Sequence, residues 1–103
     1  MKLTITCAIL ILAGGANARA QGDSKELYLS KCATCHGADG AGKTAMGKKL
    51  IVQSAQAAVP KMSVEQMIKV VTDGKGQDMG GFGKQFSAEQ IKGLVDYYRG
   101  LGK

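Results

Sequence analysis

The sequence predicts an all-α domain of three main helices joined by glycine-rich loops. Three observations lead there. Two segments near the C-terminus carry apolar residues at helical spacing, and each opens with a capping-box signal. No stretch alternates apolar and polar residues as a half-buried strand does. Between the helical patterns lie two long stretches rich in glycine, which end helices and form loops.

The elements follow in chain order. The segment "DSKELYLSKC" places Leu27, Tyr28 and Cys32 at helical spacing, with Asp23 or Ser24 as its cap. "HGADGAGKTAMG" has four glycines in twelve residues and is a loop. "KKLIVQSAQAAV" is a short irregular helix interrupted by Pro60. "SVEQMIKVVTDGKG" begins with Ser63, has Gln66 three residues later, and stops at Gly74. Val64, Met67, Ile68 and Val71 share one of its faces. "QDMGGFGKQF" is the second glycine-rich loop. "SAEQIKGLVDYYRGLG" repeats the capping signal with Ser87 and Gln90. Its apolar stripe is Ile91, Leu94, Val95 and Tyr98, with Tyr97 at the edge.

The first twenty residues stand apart. Lys2 gives a positive start, Leu3 to Leu12 is an apolar run of ten, and small residues lead to Ala18-Arg19-Ala20. That order of parts reads as a secretory signal peptide, 1–20, cut after Ala20 with Ala18 as the alternative point. Ten apolar residues reach only about half-way across a bilayer core, so the run is too short for a membrane span. Residues 3 to 12 are accordingly expected as an apolar helix with little packing on the domain, 21–103. Cys7 leaves with the peptide.

The mature domain then has 83 residues, and losing Lys2 and Arg19 leaves twelve basic residues against eight acidic, a net charge of +4. So short a chain buries a small core and needs a staple: disulfides, a metal or a cofactor. Two cysteines two residues apart do not make a disulfide framework. The mild positive charge fits an acidic protein partner. Dispersed lysines and few aromatics do not suggest nucleic acid. Loops this long bury little by themselves and make sense wrapped around an object.

The object is indicated by "KCATCHG". Both remaining cysteines and the only histidine lie between Cys32 and His36. Cys-x-x-Cys-His is the attachment signal for a c-type haem. Cys32 and Cys35 would add to the two vinyl groups of the porphyrin, and the next residue, His36, is then placed under the iron as axial ligand. A zinc site wants four ligands, and the mature domain offers no further Cys or His to complete it. A thioredoxin-like redox pair expects a βαβ context, and none is visible. A disulfide, or inert thiols beside a stray histidine, is the bland alternative. The export signal argues against it, because haem is attached outside the cytoplasm.

The chain resembles a small bacterial class I cytochrome c, of the single-haem c6, c551 and c5 sort. The matching pieces are "ELYLSKCATCHGADGAGK", "SVEQMIKVVTDGKGQDM" and "FSAEQIKGLVDYYRGL", which cover the whole mature region. The resemblance implies a compact cytochrome c fold around one covalently attached haem c. It implies packing of the first and last helices near Tyr28 and Tyr97, and Met79 as the second iron ligand. Of the other methionines, Met67 is on an apolar helix face, Met62 precedes a helix cap, and Met46 is a competitor in the first loop. Glycines around Met79 permit a close approach to a flat ring.

This chain departs from the family pattern at several points. Gly80 stands where many members have proline. Ser24 stands where many have a glycine at the helix crossing. "TAMGKK" lacks the proline whose carbonyl usually takes the histidine ring N–H, so some other carbonyl is expected to take that role. No tryptophan is present to bond a haem propionate.

With both axial positions filled, the expected function is a periplasmic one-electron carrier, not an enzyme, monomeric and without stable membrane insertion. It would shuttle electrons between respiratory or photosynthetic redox proteins, with Lys31, Lys43, Lys48, Lys49 and Lys84 as candidates to steer an acidic partner. Two alternatives stand beside it: a haem-based peroxidase or gas sensor with an open sixth site, and a dedicated cytochrome subunit of a dehydrogenase complex.

Overall fold

The computed structural model describes the backbone from Gly15 to Lys103 and side chains from Asp23 onward. The apolar run of residues 3 to 12 lies outside the described residues. Six helices run in the order α1 Gly15–Lys31, α2 Ala33–His36, α3 Ala45–Lys49, α4 Ala55–Ala58, α5 Val64–Asp73 and α6 Ala88–Leu101. A 3-10 turn, Val59–Lys61, follows α4. The three main helices are α1, α5 and α6.

Capping sets the two C-terminal helices as the sequence predicts. Ser63 Oγ accepts from Gln66 N–H at 3.1 Å, and Gln66 Oε1 accepts from Ser63 N–H at 2.8 Å. Ser87 and Gln90 repeat the same exchange at the same two distances. Each box supplies two of the orphan donors at a helix start. Gly74 ends α5 at φ 89°, in the left-handed region open to glycine.

The start of α1 differs from the expectation. The helix runs from Gly15 through Asp23 and Ser24, so neither residue caps it. Ser24 is instead buried in the helix interior, with only 4% of its surface exposed. A serine is a cap only where the helix must begin. Here the small-residue run before it continues the helix.

The expected single helix of "KKLIVQSAQAAV" is also divided. α3 is capped by Thr44 and α4 by Ser54, each accepting from the N–H three residues on. Ile51 separates them at φ 57°. Its N–H donates to Lys48 C=O at 3.3 Å, and Val52 N–H donates to Gly47 C=O at 2.8 Å. This is a Schellman stop with isoleucine where glycine is usual, and the conformation costs about 1–2 kcal/mol in a side chain with a Cβ. Pro60 lies in the 3-10 turn, near its start, where its missing N–H matters little.

α6 is the hub, packing against α1, α4 and α5. Its stripe of Ile91, Leu94 and Val95 is buried. Tyr28 from α1 meets Tyr97 of α6 with ring centroids 5.2 Å apart, which places the helix crossing where the resemblance implied. Met67 is the buried residue of α5 and accepts a 3.5 Å contact from Arg99 Nη1, whose other bond at 2.8 Å reaches Met62 C=O. Among the described residues the buried apolar side chains are Tyr28, Ala55, Ala58, Met67, Ile91, Leu94 and Val95. Val64, Ile68 and Val71 on the same face of α5 stay half-buried.

The second glycine-rich loop contains a structure the sequence did not announce. β1, Gly74–Lys75, pairs antiparallel with β2, Met79–Gly80. Two residues per strand are too few to show alternation. The loop then folds back on α5, with Phe82 N–H to Val71 C=O at 2.8 Å and Gly83 N–H to Thr72 C=O at 3.0 Å. Phe82 and Phe86 stack at 5.4 Å before α6 begins.

Candidate functional site

The structure gathers Cys32, Cys35 and His36 on one helical turn. Cys32 N–H donates to Tyr28 C=O at 2.8 Å, which joins the turn to the end of α1. His36 N–H closes on Cys32 C=O at 2.9 Å. Both thiols are free and half-buried, so no disulfide consumes them.

This turn is held by backbone contacts from the loop after it. Gly42 N–H donates to His36 C=O at 2.7 Å. The Thr44 hydroxyl donates to Thr34 C=O at 2.6 Å, lies 3.2 Å from Cys35 C=O, and accepts from Gly47 N–H at 2.9 Å. One side chain therefore caps α3 and ties it to α2. Gly47 sits so close that a Cβ there would collide with the Cys35 carbonyl oxygen. From the other side the Tyr28 hydroxyl donates to Gly37 C=O at 2.7 Å. The first glycine-rich loop thus serves as a mount for the cysteine–histidine turn.

Burial decides the protonation of Cys32 and His36. It pushes the Cys32 thiol up to about 11, with neighbouring Cys35 adding a smaller repulsion. It lowers the His36 pKa, so the imidazole is kept neutral. Reactive redox cysteines are poised the opposite way, with depressed pKa values. Among the described residues no group of three or more His, Cys, Asp or Glu side chains is arranged to hold a metal ion. The zinc and thiol-redox alternatives lose ground on both counts. Free thiols suit addition to a vinyl group, and a neutral imidazole suits an iron. The residues fit a covalently attached haem, and the half-buried apolar faces fit a core completed by a bound group.

His36 is oriented in an unexpected way. Its Nδ1 is buried with no hydrogen-bond partner among the described residues. The expectation that some other carbonyl takes this N–H is not met among the described residues. The carbonyls of Thr44, Met46, Gly47 and Lys48 already accept from the backbone of α3 and its stop. The ring is instead met by Tyr98 from α6, edge to face, at a centroid distance of 5.4 Å. Tyr98 lies 6.3 Å from Tyr28, so the rings form a continuous group. Sequence reasoning counted Tyr98 as stripe and missed this contact. It also passed over Thr44, whose place two residues after Gly42 was the available signal.

Met79 is placed on β2, half-buried, on a separate element from the cysteine–histidine turn. The glycines around it make close backbone contacts within the loop. A Cβ on Gly74 would meet Met79 C=O at 2.6 Å, and one on Gly83 would meet Thr72 C=O at 3.0 Å. They fit the hairpin to the last turn of α5. Gly80 has nothing within 4 Å of a Cβ position. Met46, the competitor, lies on α3 and is 41% exposed. Lys31, Lys43, Lys48, Lys49 and Lys84 are all exposed.

The sequence profile of the family described as cytochrome c oxidase, cbb3-type, subunit III matches residues 19–97. The chain belongs to this cytochrome c family. It is 30% identical over 77 residues to the cbb3-type cytochrome c oxidase subunit FixP of Azorhizobium caulinodans, covering 75% of this chain. The chain spans 26% of that relative's length. Among solved structures it is similar to the KustC0563 c-type cytochrome, at a TM-score of 0.71 and 33% identity, covering 78% of this chain and 98% of that one. The all-α cytochrome c fold and an electron-transfer haem protein are therefore established for this chain. No described helix is long and apolar enough to cross a membrane.

Proposed function

We propose that the chain is a periplasmic one-electron carrier holding one haem c. The observation that carries this is the turn of Cys32, Cys35 and His36, with two free thiols and a neutral imidazole whose Nδ1 is buried, in a chain of the cytochrome c family. Cys32 and Cys35 would hold the porphyrin, and His36 and Met79 would hold the iron. Bound in this way the haem supplies a one-electron couple whose potential is raised by the soft thioether ligand.

The chain's own residues do the rest. Tyr98 orients the His36 ring. Thr44 and Gly47 fix the attachment turn to α3. The folding-back of Phe82 and Gly83 onto α5 seats the hairpin that bears Met79. With His36 and Met79 both holding the iron, no place would be left for a substrate, so the proposed role is that of a carrier rather than an enzyme. The surface lysines favour an acidic redox partner.

The periplasmic location rests on the order of Lys2, an apolar run and Ala18-Arg19-Ala20. The family match begins at residue 19 and leaves most of that segment aside. The likeness to FixP favours a second reading, a cytochrome bound within a larger redox complex.

Optical spectra of the oxidised and reduced protein test the proposal. The expected result is a covalent haem spectrum with a weak far-red band from Met–iron(III), and slow reaction of the reduced form with carbon monoxide. Absence of that band with immediate carbon monoxide binding would overturn it in favour of a sensor or peroxidase. Co-purification with a large subunit would favour the complex-bound reading.

A further inference from the structure

Among the described residues one buried side-chain nitrogen or oxygen has no hydrogen-bond partner, and it is Nδ1 of His36. A histidine that binds a metal usually passes its second ring N–H to a carbonyl, a carboxylate or a water. That partner makes the imidazole a stronger donor to the metal. With Nδ1 turned into the protein, Nε2 is the nitrogen left for the iron, and the proton stays on Nδ1. The carbonyl oxygens of the attachment turn are engaged elsewhere. His36 C=O accepts from Gly42 N–H, Cys32 C=O from His36 N–H, and Gly37 C=O from both Gly40 N–H and the Tyr28 hydroxyl. Cys35 C=O faces the Thr44 hydroxyl.

What lies against the imidazole is a ring. Tyr98 is 5.4 Å away between centroids, and the two planes meet at 73°. In that arrangement an N–H edge can meet a π face, a weak hydrogen bond in place of a strong one. The position of Tyr98 is set by its helix. It follows Leu94 by four residues and Val95 by three, so it continues the buried stripe of α6. Its other neighbour is the ring of Tyr28, 6.3 Å away. Tyr28 is itself buried and tied to Gly37 C=O. Packing alone accounts for an apolar side chain at position 98. It does not account for an imidazole left without an oxygen partner.

We propose that the face of Tyr98 takes the Nδ1–H of His36, so that Tyr98 is a positioning residue that keeps the imidazole a weak donor and the haem potential high. The inference rests on the carrier reading and names a residue that tunes that carrier. An oxygen acceptor on Nδ1–H would raise the donor strength of the ring and favour iron(III) over iron(II). A π face draws on the N–H far less, so iron(II) keeps the advantage. The effect acts on the histidine side of the ring and adds to that of the thioether on the other side.

The test uses the haem-loaded chain grown with nitrogen-15 histidine. His36 is the only histidine, so its ring nitrogens give a single set of NMR signals. In the iron(II) form of the unmodified protein the Nδ1–H signal should show through-space contacts to the ring protons of Tyr98. Tyr98→Phe keeps the face and should leave both the signal and the potential unchanged. Tyr98→Gln puts an amide oxygen at the same position. Its Nδ1–H signal should move downfield and its potential should fall. A tenfold gain in preference for iron(III), at the low end of what such partners are worth, is about 59 mV for one electron. Tyr98→Leu supplies neither face nor acceptor, measures the effect of lost packing, and should shift the potential less than Tyr98→Gln. Equal potentials in the Leu and Gln variants overturn the proposal. So does an Nδ1–H signal in the unmodified protein with no contact to Tyr98. Failure of the carrier reading shows differently, as absence of the covalent haem spectrum.

Discussion

The hydroxyl of Tyr28 donates to the carbonyl oxygen of Gly37 at 2.7 Å, across the cysteine–histidine turn. The donor is on a buried side chain of α1 and the acceptor is the buried residue just after His36. Burial is the leading reason the Tyr28 pKa is raised, with Cys32 the first of the smaller repulsions, so the hydroxyl keeps its proton. Tyr28→Phe removes the donor and preserves the ring contact with Tyr97. Stability should fall by about 0.5–1.5 kcal/mol, the net worth of one hydrogen bond, since Gly37 C=O keeps the bond from Gly40 N–H at 3.0 Å. Denaturant unfolding measures this, and an unchanged midpoint would show that water replaces the hydroxyl.

Gly47 and Gly80 are a matched pair for a second prediction. Neither has a positive φ, so strain of the backbone does not enter. A Cβ at Gly47 collides with Cys35 C=O, whereas one at Gly80 meets nothing. Gly47→Ala should destabilise by about 2–3 kcal/mol through forced displacement of the attachment turn. Gly80→Ala should stay within about 0.5 kcal/mol. Thermal melts of the two haem-loaded variants decide it.

These contrasts show which parts of the chain could be read in advance. The starts of α5 and α6 were legible because a capping box is a local device, complete within four residues. The start of α1 was not. Ser24 has the chemistry of a cap, but its burial belongs to the packing of α1 against α6, which no local pattern encodes. The break between α3 and α4 was hidden for another reason. Its stop lacks the usual glycine, so the apolar run of Leu50, Ile51 and Val52 looked continuous with a helix. At the site, the turn of Cys32, Cys35 and His36 was legible because attachment chemistry demands that spacing. The roles of Tyr98 and Thr44 were not, because both arise from contacts between elements.

The third prediction concerns folding without haem. The described residues bury only seven apolar side chains, while Val64, Ile68, Val71, Met79, Phe82 and Phe86 remain half-buried. Cys32→Ser with Cys35→Ser removes covalent attachment and with it the stability linked to the bound group. So small a core cannot replace that contribution. The variant should be largely unfolded at room temperature. Well-dispersed NMR signals from the haem-free variant would contradict this.

The last prediction separates the two candidate sulfur ligands. Met79 is half-buried on a hairpin fastened to α5 by Phe82 and Gly83, whereas Met46 is 41% exposed on α3. Met79→Ala removes the soft ligand and leaves Cys32 and Cys35 to hold the ring. Iron(II) loses more than iron(III), so the potential should fall by on the order of 0.1–0.3 V, within the ~0.8 V that axial ligands span. The far-red charge-transfer band should vanish, and carbon monoxide should bind the reduced form quickly. Met46→Ala should change none of these. Tyr98→Phe supplies the control for general disturbance: the edge contact on His36 survives because it uses the ring and not the hydroxyl, so the band should persist. Loss of the band in Met46→Ala with its survival in Met79→Ala would move the ligand to α3, next to the attachment turn. Voltammetry and absorption spectra of the three variants, recorded on matched haem content, distinguish these outcomes.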